Sequence, residues 1–319
     1  MKRKYMSEFG LHTYSSYLSV CYPNDLDTLQ VSDQRYHIYM ITLVPKLTFN
    51  KDSLQIFEDH ISLEVNIKTE EKEETETLEF CVDPSLNHKE LNFEIDKPRK
   101  SLKITNDDGT GVIARVLPVY TKFSRRNLET EIIYIGQSFG KDGERTAPER
   151  LKSHSTLQKI QSELLFESPE QDLALVLLEF TPQLLSSMDG VTKNYETSDE
   201  EDRAHLKRIM SNPPTDRMNQ IINITEAALI NYFKPEYNEK FKDNFPDVEH
   251  KGYKQYYDLD YNAIAVELDP DAIGLKFFSK EKDYPLFESI KYTLHPENIR
   301  RSMFDIFPKE NEETQTINE

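Results

Sequence analysis

The hydrophobic period of this chain changes once, and that change restricts the fold more than any other feature. Up to about residue 110 apolar residues alternate with polar ones: Ile61, Leu63, Val65 and Ile67 in "HISLEVNIK", then Leu91, Phe93 and Ile95 in "ELNFEID". Alternation turns one face of a strand inward. "RYHIYMITLV" is a longer, more apolar strand, and "NDDGTG" at 106–111 is a turn. The strands "GVIARVLPVY" and "EIIYIGQS" follow, joined by a polar, basic connection. From Thr146 the spacing becomes helical. "TAPERLKSHSTLQKIQSELLF" has Thr146 at the N-cap, Pro148 in the first turn and Glu149 three residues past the cap, which is the pattern of a capping box. "DLALVLLEF" is a buried strand, and a helix runs from Thr215 through "DRMNQIINITEAALINYF" to a stop at Pro235.

This pattern predicts an α+β chain. Residues 1–110 form a mainly-β accessory domain, and 111–245 a compact unit of strands and helices. Residues 246–307 are a β-containing segment that packs back on the first, and 308–319 a disordered acidic tail. The tyrosines of "KGYKQYYDLDYN" have two readings, stacking on unpaired bases or packing under a loop, and packing is the commoner use.

No apolar run approaches the roughly 20 residues of a membrane helix. The start of the chain has basic residues but no apolar core of a signal peptide, so the expected location is cytoplasmic. Cys21 and Cys81 read as buried, reduced thiols. The net charge of −18 opposes casual binding of nucleic acid. The acid is grouped in blocks, however, and between Lys97 and Arg126 the balance reverses. That basic stretch leads directly into "EIIYIGQSFG".

Several features of the middle region then align. Tyr120 ends one strand, and Tyr134 and Gly136 end the next. Arg150 and His154 lie four apart on one face of the capped helix. Glu226 sits in the later helix, followed by "AALINYFKPEYN" ending at Asn238. With these residues the chain resembles the GIY-YIG endonuclease superfamily over about 111–240. "YIGQS" matches the second half of its signature, "ERLKSH" resembles its arginine helix, and "EAALINYFKPEYN" is similar to the segment that carries its glutamate. The first half of the signature is here Pro118-Val119-Tyr120, which keeps only the tyrosine.

The resemblance implies a small antiparallel sheet flanked by helices and a metal-dependent endonuclease acting on nucleic acid, DNA before RNA. Tyr120 would be the base, with Tyr134 positioning phosphate or water. Glu226 would hold Mg²⁺ or Mn²⁺, because a carboxylate can carry such an ion whose waters and phosphate ligand complete an octahedron. Arg150 offers a fork of donors for phosphate oxygens. His154 is the alternative base, its ordinary pKa suiting the task. Lys141, Gly136 and Asn238 complete the substrate side, with Asn238 ordering the end of the glutamate helix. Restriction and phage defence fit such an activity, as do repair and mobile elements. The second reading is a nuclease-like fold with reduced catalysis that binds nucleic acid, a protein partner or a second copy of itself; the altered first signature and the acidity favour it.

Overall fold

The computed structural model describes residues 2–29, 34–140, 145–190, 195–213 and 218–305. The chain opens on strand β1 (Ser7–Cys21) and a short helix α1 (Leu26–Leu29), then enters β2 (Ile38–Phe49). Strands β3 (Gln55–Ile56), β4 (Ile61–Lys68), β5 (Glu73–Phe80), β6 (Asn92–Ile95), β7 (Ser101–Thr105) and β8 (Gly111–Arg115) follow. Next come α2 (Val116–Phe123), β9 (Leu128–Gln137), α3 (Ala147–Leu151), α4 (Ser155–Glu167) and β10 (Gln171–Met188). Helices α5 (Asp199–Met210), α6 (Met218–Phe233) and α7 (Lys254–Asp258) precede β11 (Ala263–Leu268), β12 (Leu275–Phe278) and β13 (Glu288–Thr293). The content is α+β, as the change of period predicts.

The main sheet runs in the order β12-β9-β2-β10-β1-β11-β13. The β9, β2, β10 and β1 pairings are all antiparallel, whereas β11 joins β1, and β12 joins β9, in parallel. The far end of β2 leaves this ladder at Lys46–Phe49 to pair with β4, which carries β3 and β5. Strands β6, β7 and β8 form a separate small sheet.

The expected division into 1–110 and 111–245 does not describe this arrangement. β2, from the first segment, is the strand between β9 and β10 of the second, and β11 of the third pairs with β1 of the first. Strand pairing is a long-range contact, and a boundary drawn from composition does not see it. The tail at 308–319 lies outside the described residues.

Both faces of the sheet are covered, which is why "DLALVLLEF" is apolar throughout. Ala174, Val176 and Leu178 of β10 join Ile38 and Met40 of β2 in the larger core, which includes Ile222, Leu229 and Phe233 of α6. Leu173, Leu175 and Leu177 join Tyr39 and Ile41 on the other face, beneath Ala147, Leu151, Leu157 and Ile160 of α3 and α4. Tyr253, Tyr256 and Tyr261 are fully buried, so the tyrosine-rich segment packs and offers no open stacking surface. Cys21 is buried as expected; Cys81 is exposed, and both are free thiols. Among the described residues no helix is long and apolar enough to cross a membrane.

Candidate active site

The site begins with the register of β2 against β9. Tyr39 lies opposite Gly136, and Ile41 opposite Tyr134. Side chains two apart share a face of a strand, so Tyr39 and Tyr134 are diagonal neighbours beneath α3 and α4. Their ring centroids are 6.2 Å apart. Gly136 makes this closeness possible: a Cβ there would lie 2.6 Å from the Tyr39 hydroxyl and 2.8 Å from Cε1 of Tyr134. Gly136 therefore serves the two rings and has no side chain to offer a substrate.

The capping box at Thr146 and Glu149 forms as the sequence predicts. The helix it starts is shorter than expected. α3 ends at Leu151, and His154 caps a new helix, its ring accepting from the Leu157 backbone N–H. Arg150 and His154 thus do not share one helix face. They meet at the same phenol instead. Arg150 Nε donates to the Tyr39 oxygen at 3.2 Å, and His154 Nε2 lies 3.1 Å from it.

The cap fixes the chemistry of that second contact. His154 Nδ1 takes the Leu157 N–H at 3.1 Å and therefore carries no proton. In neutral imidazole the proton then sits on Nε2. Burial, followed by the charges of Arg150 and Arg145, lowers the His154 pKa and keeps the ring neutral. His154 therefore donates to Tyr39, and the expected alternative of a histidine base does not fit this tautomer.

Charge in the site is left unmatched. Burial works against the Arg150 guanidinium, but Tyr39, Tyr134 and Glu226 outweigh it and hold the group charged. Burial pushes both phenols upward, with Arg150 opposing it in each case. Glu226 is partly buried on α6, and its carboxyl is pushed up to about 7 by that burial, against a hydrogen bond from Gln137 and the charges of Arg150 and Lys240. Glu226 thus lies within electrostatic reach of Tyr134 and Arg150, from a helix on the other side of the sheet. The end of β9 explains how. β12 covers only Leu128–Glu131 of that strand. Beyond it the chain after α6 takes over the edge, with Tyr237 N–H donating to Ile133 O at 3.0 Å. Asn238 Oδ1 accepts from Ile135 N–H, and Asn238 Nδ2 donates to Ile135 O, both at 2.8 Å. Asn238 is buried and docks α6 beside the site, which is the ordering role; it does not extend toward a substrate.

Tyr120 is elsewhere. "VLPVY" is helix α2, and the Tyr120 hydroxyl donates to Glu76 at 2.9 Å, within the larger core. Tyr39 occupies the place predicted for it. The signal was present as Ile38-Tyr39 in a strand already evident from its composition, but far upstream in the chain. Lys141 lies outside the described residues. Part of the basic stretch is internally matched, since Lys100 pairs with Asp172, Arg115 with Asp25 and Arg126 with Glu74.

Among the described residues no group of three His, Cys, Asp or Glu side chains gathers to hold a metal ion. One carboxylate facing an arginine and two phenols does not suit Zn²⁺ or a caged Ca²⁺. It does suit Mg²⁺ or Mn²⁺, which keep several waters and take one or two carboxylates together with substrate phosphate. Compared with family models, with characterised proteins and with solved structures, the chain shows no match.

Proposed function

We propose that the chain is a metal-dependent endonuclease of GIY-YIG type that hydrolyses phosphodiester bonds, in DNA before RNA. One observation carries this reading: Arg150 and His154 both converge on the hydroxyl of Tyr39 beside Tyr134, with Glu226 within electrostatic reach. The order β2, β9, α3, β10, α6 supports it, being strand, strand, helix, strand, helix with β2 central in the antiparallel trio. In this reading Ile38-Tyr39 supplies the first half of the signature, and residues 50–127 are interposed between its two strands.

Hydrolysis joins a water oxygen to phosphorus and breaks the bond to one sugar oxygen. Arg150 holds the non-bridging oxygens, and its fixed fork suits two of them. Tyr39 acts as base in its phenolate form, reached by losing its own proton to solvent. It then takes the proton of the attacking water, with Tyr134 placed to orient that water, and returns to the phenol while solvent water protonates the departing sugar oxygen. Arg150 and His154 donate to the Tyr39 oxygen and stabilise that phenolate, which offsets the burial that disfavours it. Glu226 would hold the ion. When bound, Mg²⁺ supplies a Lewis acid and a charge sink at the phosphoryl oxygen.

The test is cleavage of supercoiled plasmid and of RNA with Mg²⁺ or Mn²⁺. Tyr39→Phe, Arg150→Ala and Glu226→Ala should each lose at least about 100-fold, the lower range for a general acid or base. Tyr120→Phe should cut as the wild type does. Cutting that survives Tyr39→Phe and Glu226→Ala places the activity elsewhere. One observation favours the second reading, a binding protein of nuclease-like form: both phenols are shifted away from ionisation. Its outcome would be retention of nucleic acid without cleavage under any metal.

A further inference from the structure

β2 and β10 part at a fork. The two strands pair as far as Pro45 opposite Gln171, and from Lys46 onward β2 pairs with β4 instead. A cleft of about 730 Å³ opens there, between the main sheet, the end of α4 and the small sheet β6–β8. That volume falls among small-molecule sites, roughly 300–1,000 Å³, which occur preferentially at seams between structural units. Two ion pairs cross this seam: Lys100 with Asp172, and Arg115 with Asp25 at 2.8 Å.

The aspartates of the cleft are all answered. Asp172 and Asp25 have those cations, and Asp96 accepts the backbone N–H groups of Lys100 and Ser101 at 2.8 and 3.2 Å. Lys46 is not answered. Its ammonium donates to the Pro169 carbonyl at 3.2 Å, and among the described residues no carboxylate pairs with it. An ammonium has three donors, so two of them and a full positive charge remain at the cleft wall. The side-chain amides of Asn24, Gln161 and Gln171 belong to the same lining, and among the described residues none of them makes a hydrogen bond. Each can both donate and accept. Much of the remaining wall is carbon: Pro23, Pro98, Leu164, Leu173 and the ring of Tyr22, whose hydroxyl is buried.

We propose that this cleft binds a free nucleoside monophosphate, with Lys46 on the phosphate, the amides on the edges of the base and the carbon walls against its faces. One unmatched cation calls for an anion, and three unspent amides call for a body that carries donors and acceptors. A fatty or aryl carboxylate would leave the amides unbonded, and a sugar phosphate would set hydroxyls against carbon. The site stands without the nuclease reading.

The test is calorimetric titration of the full chain with the 5′-monophosphates of adenosine, guanosine, cytidine and uridine, in chelator so that nothing is cut. At least one should bind with a Kd below about 1 mM. Lys46→Met keeps the stem, removes the charge and should weaken that binding about 10- to 100-fold, as loss of a charged hydrogen bond does. Gln161→Leu, on α4, should weaken it about 3- to 10-fold, and it decides alone if Lys46→Met fails to fold. Arg150→Ala should bind as the wild type does. The proposal is overturned if none of the four binds, or if Lys46→Met binds unchanged. Loss of binding in Arg150→Ala places the nucleotide around Tyr39 instead and overturns it too. Inorganic phosphate that binds as tightly as the nucleotide reduces the cleft to an anion site and removes the base from it. A single DNA strand held through Lys46 more tightly than the free nucleotide makes the cleft part of a strand's path, and the free-nucleotide proposal falls.

Discussion

Two charge clusters lie on neighbouring parts of one sheet, and they are built on opposite rules. At the start of β1, Glu8 is fully buried and Arg300 nearly so. Arg300 grips Glu8 through both Nη2 and Nε, and donates to Asp260 through Nη1 at 2.6 Å. Asp260 also takes Lys4, and the Tyr5 hydroxyl at 2.9 Å, while Glu8 accepts the backbone N–H of Lys4 and of Tyr5. Every charge there is answered by an opposite one. Around Tyr39 the guanidinium of Arg150 donates to a neutral phenol, and among the described residues no cation forms an ion pair with Glu226. Buried charge that only holds a fold together is saturated, because an unpaired ion in the interior is costly. Under the proposed nuclease reading, the charge left incomplete around Tyr39 is what a metal ion and a phosphate would complete.

The largest test of this contrast is removal of the central cation from each cluster. Arg300→Ala strands Glu8 in the interior and should cost about 3–5 kcal/mol in urea denaturation, the range for breaking a buried pair from one side. Arg150→Ala removes a partly exposed cation with no carboxylate bonded to it, and should cost under about 1 kcal/mol. Equal losses would erase the distinction.

Gly136 gives a second measure of the site, since the close approach of Tyr39 and Tyr134 depends on a missing side chain. Gly136→Ala forces a methyl against two stiff rings, one fully buried, and should cost about 1–3 kcal/mol as overpacking does. Gly190→Ala, with nothing within 4 Å of its added Cβ, should stay within about 0.5 kcal/mol in the same melts. A neutral Gly136→Ala would mean that Tyr39 and Tyr134 can separate.

The sequence made legible whatever is local. Alternation located β4, whose Ile61, Leu63, Val65 and Ile67 all face inward, and the capping box located the start of α3. Tyr134, Arg150, His154 and Glu226 stood in short patterns, and the structure brings all four together. Tyr39 was missed because its membership is set by the register of β2 on β9, a pairing across a long interposed segment. Tyr120 drew attention through valines that suit strands, although Pro118 argued otherwise. A proline lacks the ladder donor a strand interior needs, whereas the first turn of a helix has no use for that N–H. Val116, Val119 and Tyr120 then fall on the buried side of α2. The break between α3 and α4 was hidden because histidine is not among the preferred caps.

The smallest effect is also the one with opposite signs in the two clusters. An unfolded glutamate releases its proton near 4.5, while Glu226 in the fold holds it to about 7. Between those values the unfolded chain binds fewer protons than the folded one, so this group makes stability fall as pH rises. Glu226→Gln removes that penalty. With chelator present it should raise stability by about 1–2 kcal/mol at pH 8, a discounted conversion of the shift for a partly buried group, and by nothing below pH 4.5. Glu8→Gln should do the reverse, lowering stability at pH 8 because Arg300 loses the anion that holds it. A Glu226→Gln protein less stable than wild type at pH 8 would make Glu226 another structural carboxylate, and the incomplete cluster would no longer differ in kind from the complete one.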